Sequence, residues 1–454
     1  MSTKYEAFTE SAKSKSADAE HRAKLQKAMG TYHGKVSTMQ DKQFRDWDAA
    51  RDYAEAVKSY AIENMPDLLE QFEAKQIDRG STVLWAETAE DARTQIAEIV
   101  HRHKVESVVK SKSMTSEEIR FNEFMDELKV DVIESDLGEL IVQMRGEKPY
   151  HIVTPAMHLS KEDIAELFHE KLGTALDASV EDLTAAARLH LREKFLAADM
   201  GFTSANFILA DDGSFLVLEN EGNARLSANL PDVHVAVIGI DKVLANLKDL
   251  SLFLPLLSTS GTGQQMTVYN SIFRGPRAGQ SLYVILLDNG RSDLYADEKL
   301  REVLRCIRCG ACLNSCPVYE SIGGHSYEAA YSGPIGSVIS PHIFGFQDYQ
   351  HLSQSSSLCG ACTDVCPVKI PLHHLLHYNR TIANETKTND ASWRLIMRLW
   401  AKAMKSRKSI NIARNSFGII DSIILKAFFQ KHSENLPKLA EKSFAELWEE
   451  KNER

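Results

Sequence analysis

Cys306-Ile-Arg-Cys309-Gly-Ala-Cys312-Leu-Asn-Ser-Cys316-Pro317 and, further along, Cys359-Gly-Ala-Cys362-Thr-Asp-Val-Cys366-Pro367 contain all 7 cysteines of the 454-residue chain. The first run has the spacing C-x2-C-x2-C-x3-C-P. In it, short loops let three thiolates converge on one iron–sulfur cubane while the fourth, followed by proline, turns toward a second cluster. The second run repeats the pattern with Ser356 at its first position. By this crossing rule Cys306, Cys309, Cys312 and Cys366 are expected to hold one cluster, and Cys316, Cys359 and Cys362 the other. The second is then one protein thiolate short. It is either a four-iron cluster with water, Ser356 or an outside group on one iron, or a three-iron cluster. Zinc and disulfides fit less well, because zinc sites pair C-x2-C units across a longer loop and need neither a third cysteine nor a trailing proline.

Around these runs, residues 296–385 read as a cluster domain. The 42-residue insert 317–358, with Gly323-Gly-His-Ser-Tyr327 and Tyr331-Ser-Gly-Pro-Ile-Gly-Ser337, is longer than a small ferredoxin needs and suits a helical domain gripping both clusters. Gly323, Gly324, Gly333 and Gly336 are expected to let backbone N–H groups approach inorganic sulfur, a lever on reduction potential. His325, His373, His374 and His377 lie near the motifs and read as neighbours of the clusters or surface residues rather than ligands.

Upstream, residues 76–295 alternate strand-like and helical runs. Strands are expected at Ser81–Trp85, Val105–Val109, Val130–Glu134, Leu140–Gln143 and Ile152–Val153, then at Ala205–Leu209, Phe215–Leu218, Val233–Ile238 and Leu282–Leu287. Helices are expected at Ala89–His101, Ser116–Leu128, Lys161–Leu172 and Val180–Phe195. This order predicts an α/β domain with a largely parallel sheet. Neither G-x-G-x-x-G after a strand nor G-x-x-x-x-G-K-[ST] occurs, so a nicotinamide, flavin or ATP site of those kinds has no support. Three polar stretches sit at strand ends, where open α/β sheets bind ligands: Lys110-Ser-Lys-Ser-Met-Thr-Ser-Glu-Glu118, Asp136-Leu-Gly-Glu139 and Asn220-Glu-Gly-Asn-Ala-Arg225. The plainer reading makes Thr115 or Ser116 a helix N-cap and leaves the glycines to shape turns.

Residues 1–75 read as a helical arm packed on the next domain, with breaks near Gly30–Gly34 and at Pro66. Residues 386–454 form a helical C-terminal region. Between Ala391 and Lys431 nine Lys/Arg face one acidic residue, interleaved with Trp393, Leu395, Ile396, Leu399, Trp400 and the apolar set from Phe417 to Phe429. Such a basic amphipathic segment packs on its own protein, docks a partner or lies on an anionic membrane, in that order of preference. The stripe Phe444, Leu447 and Trp448 is expected to be a docked helix. The formal charge of −10 argues against a general nucleic-acid binder. No apolar run is long enough to span a bilayer, the N-terminus lacks a secretory h-region, and cysteines confined to metal motifs fit a reducing compartment. A cytoplasmic protein, with peripheral contact to the inner membrane face as a further option, is expected.

With these stretches together, the chain resembles the iron–sulfur B subunits of bacterial lactate-utilisation complexes over nearly its full length. The resemblance is carried by Lys110-Ser-Lys-Ser-Met114, Glu134-Ser-Asp-Leu-Gly-Glu139, Pro149-Tyr-His-Ile-Val-Thr-Pro-Ala-Met-His158, Asn220-Glu-Gly-Asn223, Leu287-Asp-Asn-Gly-Arg291, Tyr331-Ser-Gly-Pro-Ile-Gly336, both cysteine runs and Lys442-Ser-Phe-Ala-Glu-Leu-Trp448. It departs at Ser135, where threonine is expected, and at Ala224, where glycine is. The resemblance implies a LUD-type α/β domain, related in fold to sugar-phosphate isomerases and CoA transferases, followed by an α-helical two-cluster ferredoxin domain. It implies seven cluster cysteines as the family's norm, two partner subunits, and a part in oxidising L-lactate to pyruvate as an electron-transfer subunit rather than a catalyst in its own right. The alternatives are the same role with glycolate or another 2-hydroxy acid, and a ligand-binding or redox-sensing module with structural clusters.

Overall fold

Val233–Gly239 and Ser281–Leu287 are near-continuous apolar runs, the pattern of strands covered on both faces. In the computed structural model, which describes residues 3–388, 391–410, 412, 442 and 444–452, they are the adjacent central strands of a six-stranded parallel sheet. In chain order the ten strands are β1 (Thr82–Ala86), β2 (Ser107–Lys110), β3 (Asp131–Glu134), β4 (Met200–Thr203), β5 (Phe207–Leu209), β6 (Ser214–Glu219), β7 (Val233–Gly239), β8 (Val243–Leu244), β9 (Tyr269–Phe273) and β10 (Ser281–Leu287). The parallel sheet runs β1-β10-β7-β4-β2-β3, and a smaller sheet runs β8-β5-β6-β9. Val235 pairs with Tyr283 and Phe202, so the register aligns the carboxyl ends of the middle strands.

Helices cover both faces. Ala89–His103 packs on one side, started by a capping box between Thr88 and Asp91, with Ile96, Ile99, Phe121, Met125 and Phe202 in the core beneath it. The other side buries Leu140, Ile141, Phe168, Leu183 and Phe195. There the helices Lys161–Leu172 and Val180–Ala197 each begin at a serine–aspartate capping box.

Several expectations need correction. Leu140–Gln143 is not a strand but part of the helix Leu137–Arg145, capped by the Asp136 carboxylate on the Glu139 N–H. Its apolar residues are buried all round, so its periodicity does not separate strand from helix. Ile152–Val153 is a loop wedged beside the cysteines. Ser116–Leu128 is two helices, Met114–Glu118 and Phe121–Glu127, broken at Arg120, whose φ of 55° is left-handed. Ser113, not Thr115 or Ser116, caps the first of them. Leu250–Thr262 is a helix despite Pro255.

The N-terminal segment forms α1 (Thr3–Ala17), α2 (Ala19–Gln43), α3 (Trp47–Glu63) and α4 (Met65–Asp78). Pro66 opens α4 as expected. No break occurs at Gly30–Gly34, since α2 runs through both, and a Cβ at either would meet nothing within 4 Å. These helices pack on more than the next domain. α1 lies against Pro317–Ile322 and Phe346–Gln354, and α3 against Leu300–Arg305. Arg51 donates to the carbonyls of Cys366 at 3.0 Å and Asp364 at 2.7 Å. No strand follows Leu287 among the described residues, so the cysteine region is helical and turn.

Contacts divide the chain into Met1–Thr381 and Ile382–Arg454. In the second unit, Ala391–Ala403 is helical with Leu395, Leu399 and Trp400 exposed. Phe417 to Phe429 lie outside the described residues. Phe444–Asn452 is helical, but Phe444, Leu447 and Trp448 are exposed, so the stripe expected to be docked is uncovered. No helix among the described residues is long and apolar enough to cross a membrane.

Candidate metal centre and adjoining cleft

The two cysteine runs share one backbone design. Arg308 and Leu358 are left-handed, with φ of 59° and 53°, and so are Gly310 and Gly360, at 84° and 89°. Each glycine leads into a single helical turn, Ala311–Asn314 or Ala361–Asp364. In the first run the Arg308 N–H donates to Cys306 Sγ at 3.4 Å. At the same place in the second, the Leu358 N–H donates to Ser356 Oγ at 3.1 Å. Ser356 thus occupies in its run the niche that Cys306 occupies in the other.

The seven thiols fall into two groups. Cys306, Cys309, Cys312 and Cys366 line one small cavity, walled by Ile152, Ile307, Ile335, Val368, Ile370 and Leu372. Burial raises the Cys312 thiol well above its usual range, and Cys306, Cys309 and Cys366 raise it further. Cys316 and Cys359 act in the same way on Cys362, whose thiol burial lifts to about 12. Burial lifts Cys366 to about 11 while the N–H groups of Ile370 and Val368 oppose the shift. Burial thus disfavours the charged form of Cys312, Cys362 and Cys366. A cationic iron centre that displaces their protons, with N–H groups already aimed at sulfur, fits this donor set.

The four glycines expected near sulfur also sit tight against protein neighbours. A Cβ on Gly324 would fall 1.7 Å from the Tyr150 carbonyl oxygen, one on Gly333 2.5 Å from Leu313, and one on Gly336 2.1 Å from the Tyr331 carbonyl oxygen. His325 Nε2 donates to the Lys148 carbonyl, 2.7 Å away, and sits with Glu147 and His158, their ligand-type atoms all within 4.8 Å of one another. His373 bonds Thr363 Oγ1 at 2.7 Å, while His374 and His377 are exposed.

Beside the cysteine cavity lies a cleft of about 750 Å³, formed where β2, β3, β4, β6 and β7 end. The three polar stretches expected to meet a ligand converge there through Lys112, Asp136, Gly138, Asn220 and Glu221. Ser113, Met114, Thr115 and Ala224 line it too, while Lys110 and Arg225 do not. Lys110 is fully buried and bonded to Glu134 Oε1 at 2.7 Å and Glu139 Oε2 at 3.4 Å. Burial opposes its charge, but Glu134, Glu139 and Glu117 outweigh burial and raise its pKa. Arg225 stacks on Tyr269. Glu221 is pushed up to about 7 by burial and then by Asp136.

Sequence reasoning missed the cleft's floor. Ile152, Arg308 and Cys309 line both the cleft and the cysteine cavity, making one shared wall. Arg308 stacks over the Tyr331 ring and reaches Asp241 Oδ2 at 3.5 Å, while its Nη1 is buried without a partner. Lys242, in the turn after β7, lines the cleft but not the cysteine cavity. Behind them, Arg291 is bidentate to Glu118 at 2.8 Å and bonds Asp241 at 2.6 Å. Lys58 donates to the Asp241 and Val243 carbonyls. The only available signals were that Lys242 follows a parallel strand's carboxyl end and that Arg308 lies within a metal-binding loop.

Comparison with known proteins agrees with this layout. A family model described as the LUD domain matches residues 69–294, and one described as a 4Fe-4S dicluster domain matches residues 302–370. Proteins called lactate utilization protein B are similar over most of the chain. That of Bacillus pumilus is 43% identical, covering 75% of this chain and 73% of its own. That of Macrococcus caseolyticus is 40% identical, covering 81% and 78%, and that of Geobacillus thermodenitrificans is 41% identical, covering 78% and 77%.

Proposed function

The chain belongs to the lactate utilization protein B family, and we propose that it is the electron-transferring iron–sulfur subunit of a complex that oxidises L-lactate to pyruvate. The observation that carries this reading is the partition of seven cysteines into two groups, one of them sharing a wall with the α/β cleft. Cys306, Cys309, Cys312 and Cys366 hold one cluster. Cys316, Cys359 and Cys362 hold the other, with Ser356 at its fourth position. Bound clusters supply one-electron transfer and no hydride chemistry. The protein's own part is to exclude water from the first group with Ile152, Ile335 and Ile370, and to set N–H groups against its sulfurs. Burial works against the charge of Arg308, but Cys306, Tyr331 and Asp241 outweigh it, so Arg308 places positive charge beside Cys306; burial pulls Lys242 down to about 8 and Lys58 to about 7, with Asp241 and Cys306 opposing. Positive charge there favours electron arrival at the first centre.

Two further subunits complete the assembly in this reading. The helix Ala391–Ala403, with Arg394, Arg398 and Lys402 spaced along it and Leu399 and Trp400 uncovered, serves as a partner-docking element, with contact to the inner membrane face as the second option. The test is anaerobic co-purification with the partners, followed by iron counting and EPR with and without L-lactate, with glycolate as a comparison. Clusters that never reduce during turnover would sink the electron-transfer role. Stronger reduction by glycolate would change the substrate. Retention of both partners after deletion of residues 391–454 would remove the docking role.

A further inference from the structure

Lys242 is only 8% exposed, yet its ammonium has no hydrogen bond or salt bridge among the described residues. It faces the cleft. A cationic side chain that opens onto a cleft wall without a protein partner favours an anion there. Arg308 adds a second unmet donor, the buried Nη1, on the same wall. Asp241 is held by ion pairs to Arg291 and Arg308, which leaves Lys242 without one. Lys242 lines the cleft and not the cysteine cavity, so it is open to a ligand in the cleft.

We infer that the floor of this cleft is an oxoanion-binding site, in which Lys242 and Arg308 hold the carboxylate or phosphate of a small ligand against the wall formed by Cys309 and Ile152. The cleft's volume of about 750 Å³ lies in the range of small-molecule pockets. It admits either a 2-hydroxy or 2-oxo acid or the phosphate end of a larger molecule. The choice of carboxylate probes rests on the lactate-oxidising reading; the site itself rests on the two unmet cationic donors.

The experiment uses the full chain with its clusters reconstituted anaerobically, titrated by calorimetry with pyruvate, L-lactate, inorganic phosphate and adenosine monophosphate. At least one probe is expected to bind. Lys242→Met is expected to weaken that binding about tenfold to a hundredfold, the loss of a charge-assisted hydrogen bond, with the visible absorption of the clusters unchanged. Lys242→Arg, which keeps the charge, is expected to retain most of it. Binding by the two acids alone identifies a carboxylate ligand, and binding by the two phosphates alone identifies a phosphorylated one. No binding by any probe, or equal binding in Lys242→Met, overturns the inference. EPR of the same preparation with partners and L-lactate keeps the two readings apart: reduction without binding removes this site only, and binding without reduction removes the electron-transfer role only.

Discussion

Replacing Glu118 by alanine should be among the most damaging single changes outside the cysteines. Its carboxylate is fully buried and accepts from both terminal nitrogens of Arg291 at 2.8 Å, from Asn289 at 2.8 Å and from the Tyr331 hydroxyl at 2.5 Å. It therefore ties the turn after β2 to the turn after β10 and to the insert between the cysteine runs. Removing it leaves Arg291 with Asp241 and the Asp288 carbonyl, and takes their acceptor from the half-buried Asn289 amide and the Tyr331 hydroxyl. Breaking a buried ion pair from one side costs about 3–5 kcal/mol. At about 1 °C per kcal/mol for a chain of this size, Glu118→Ala should lower the melting temperature by roughly 3–5 °C. The assay is thermal unfolding followed by circular dichroism at pH 7. The sign with pH follows from the carboxyl's position. Burial works against its charge, yet Arg291 and the hydroxyl and amide donors hold its pKa below the usual 4.5. A group depressed on folding stabilises fully above its unfolded pKa and loses that contribution as pH falls through its folded one. The gap between wild type and Glu118→Ala should therefore narrow below about pH 4.5. A drop under about 2 °C at pH 7, or a gap that widens in acid, would refute the reasoning.

Ser356→Cys should complete the second group of ligands, raising iron retained per chain after brief exposure to a chelator and altering its EPR signal; unchanged iron and spectrum would mean that Ser356 is not at the open position. Gly324→Ala forces a methyl to within 1.7 Å of the Tyr150 carbonyl oxygen and should cost about 1–3 kcal/mol. Gly30→Ala, in the open middle of α2, should gain about 0.5–1 kcal/mol. Equal melting temperatures for these two variants would contradict both assignments.

The sequence made the two-domain order, the parallel sheet and the grouping of cysteines legible because each is local or periodic. Val233–Ile238 and Leu282–Leu287 are apolar runs of strand length, and Lys161–Leu172 has both a capping box and a glycine C-cap. Leu140–Gln143 misled because Leu140, Ile141 and Val142 are all buried, and its better signal was Asp136 three residues before Glu139. The cleft floor was illegible for another reason. Lys242 and Arg308 are brought together by the fold alone, and nothing near either in sequence announces that its nitrogen goes unmet. Gly323 and Gly324 meet Tyr150, which belongs to the preceding domain, so nothing near them in sequence announces that neighbour.

Arg51 bonds the carbonyl of Cys366, 315 positions later, and Asp52 pairs with Lys369. On a ribosome adding about 5–20 residues per second, α3 waits on the order of 15 to 60 s for these two partners. Its hold on β8 through Lys58 comes within reach first, and its seal over the last cysteine's loop only afterwards.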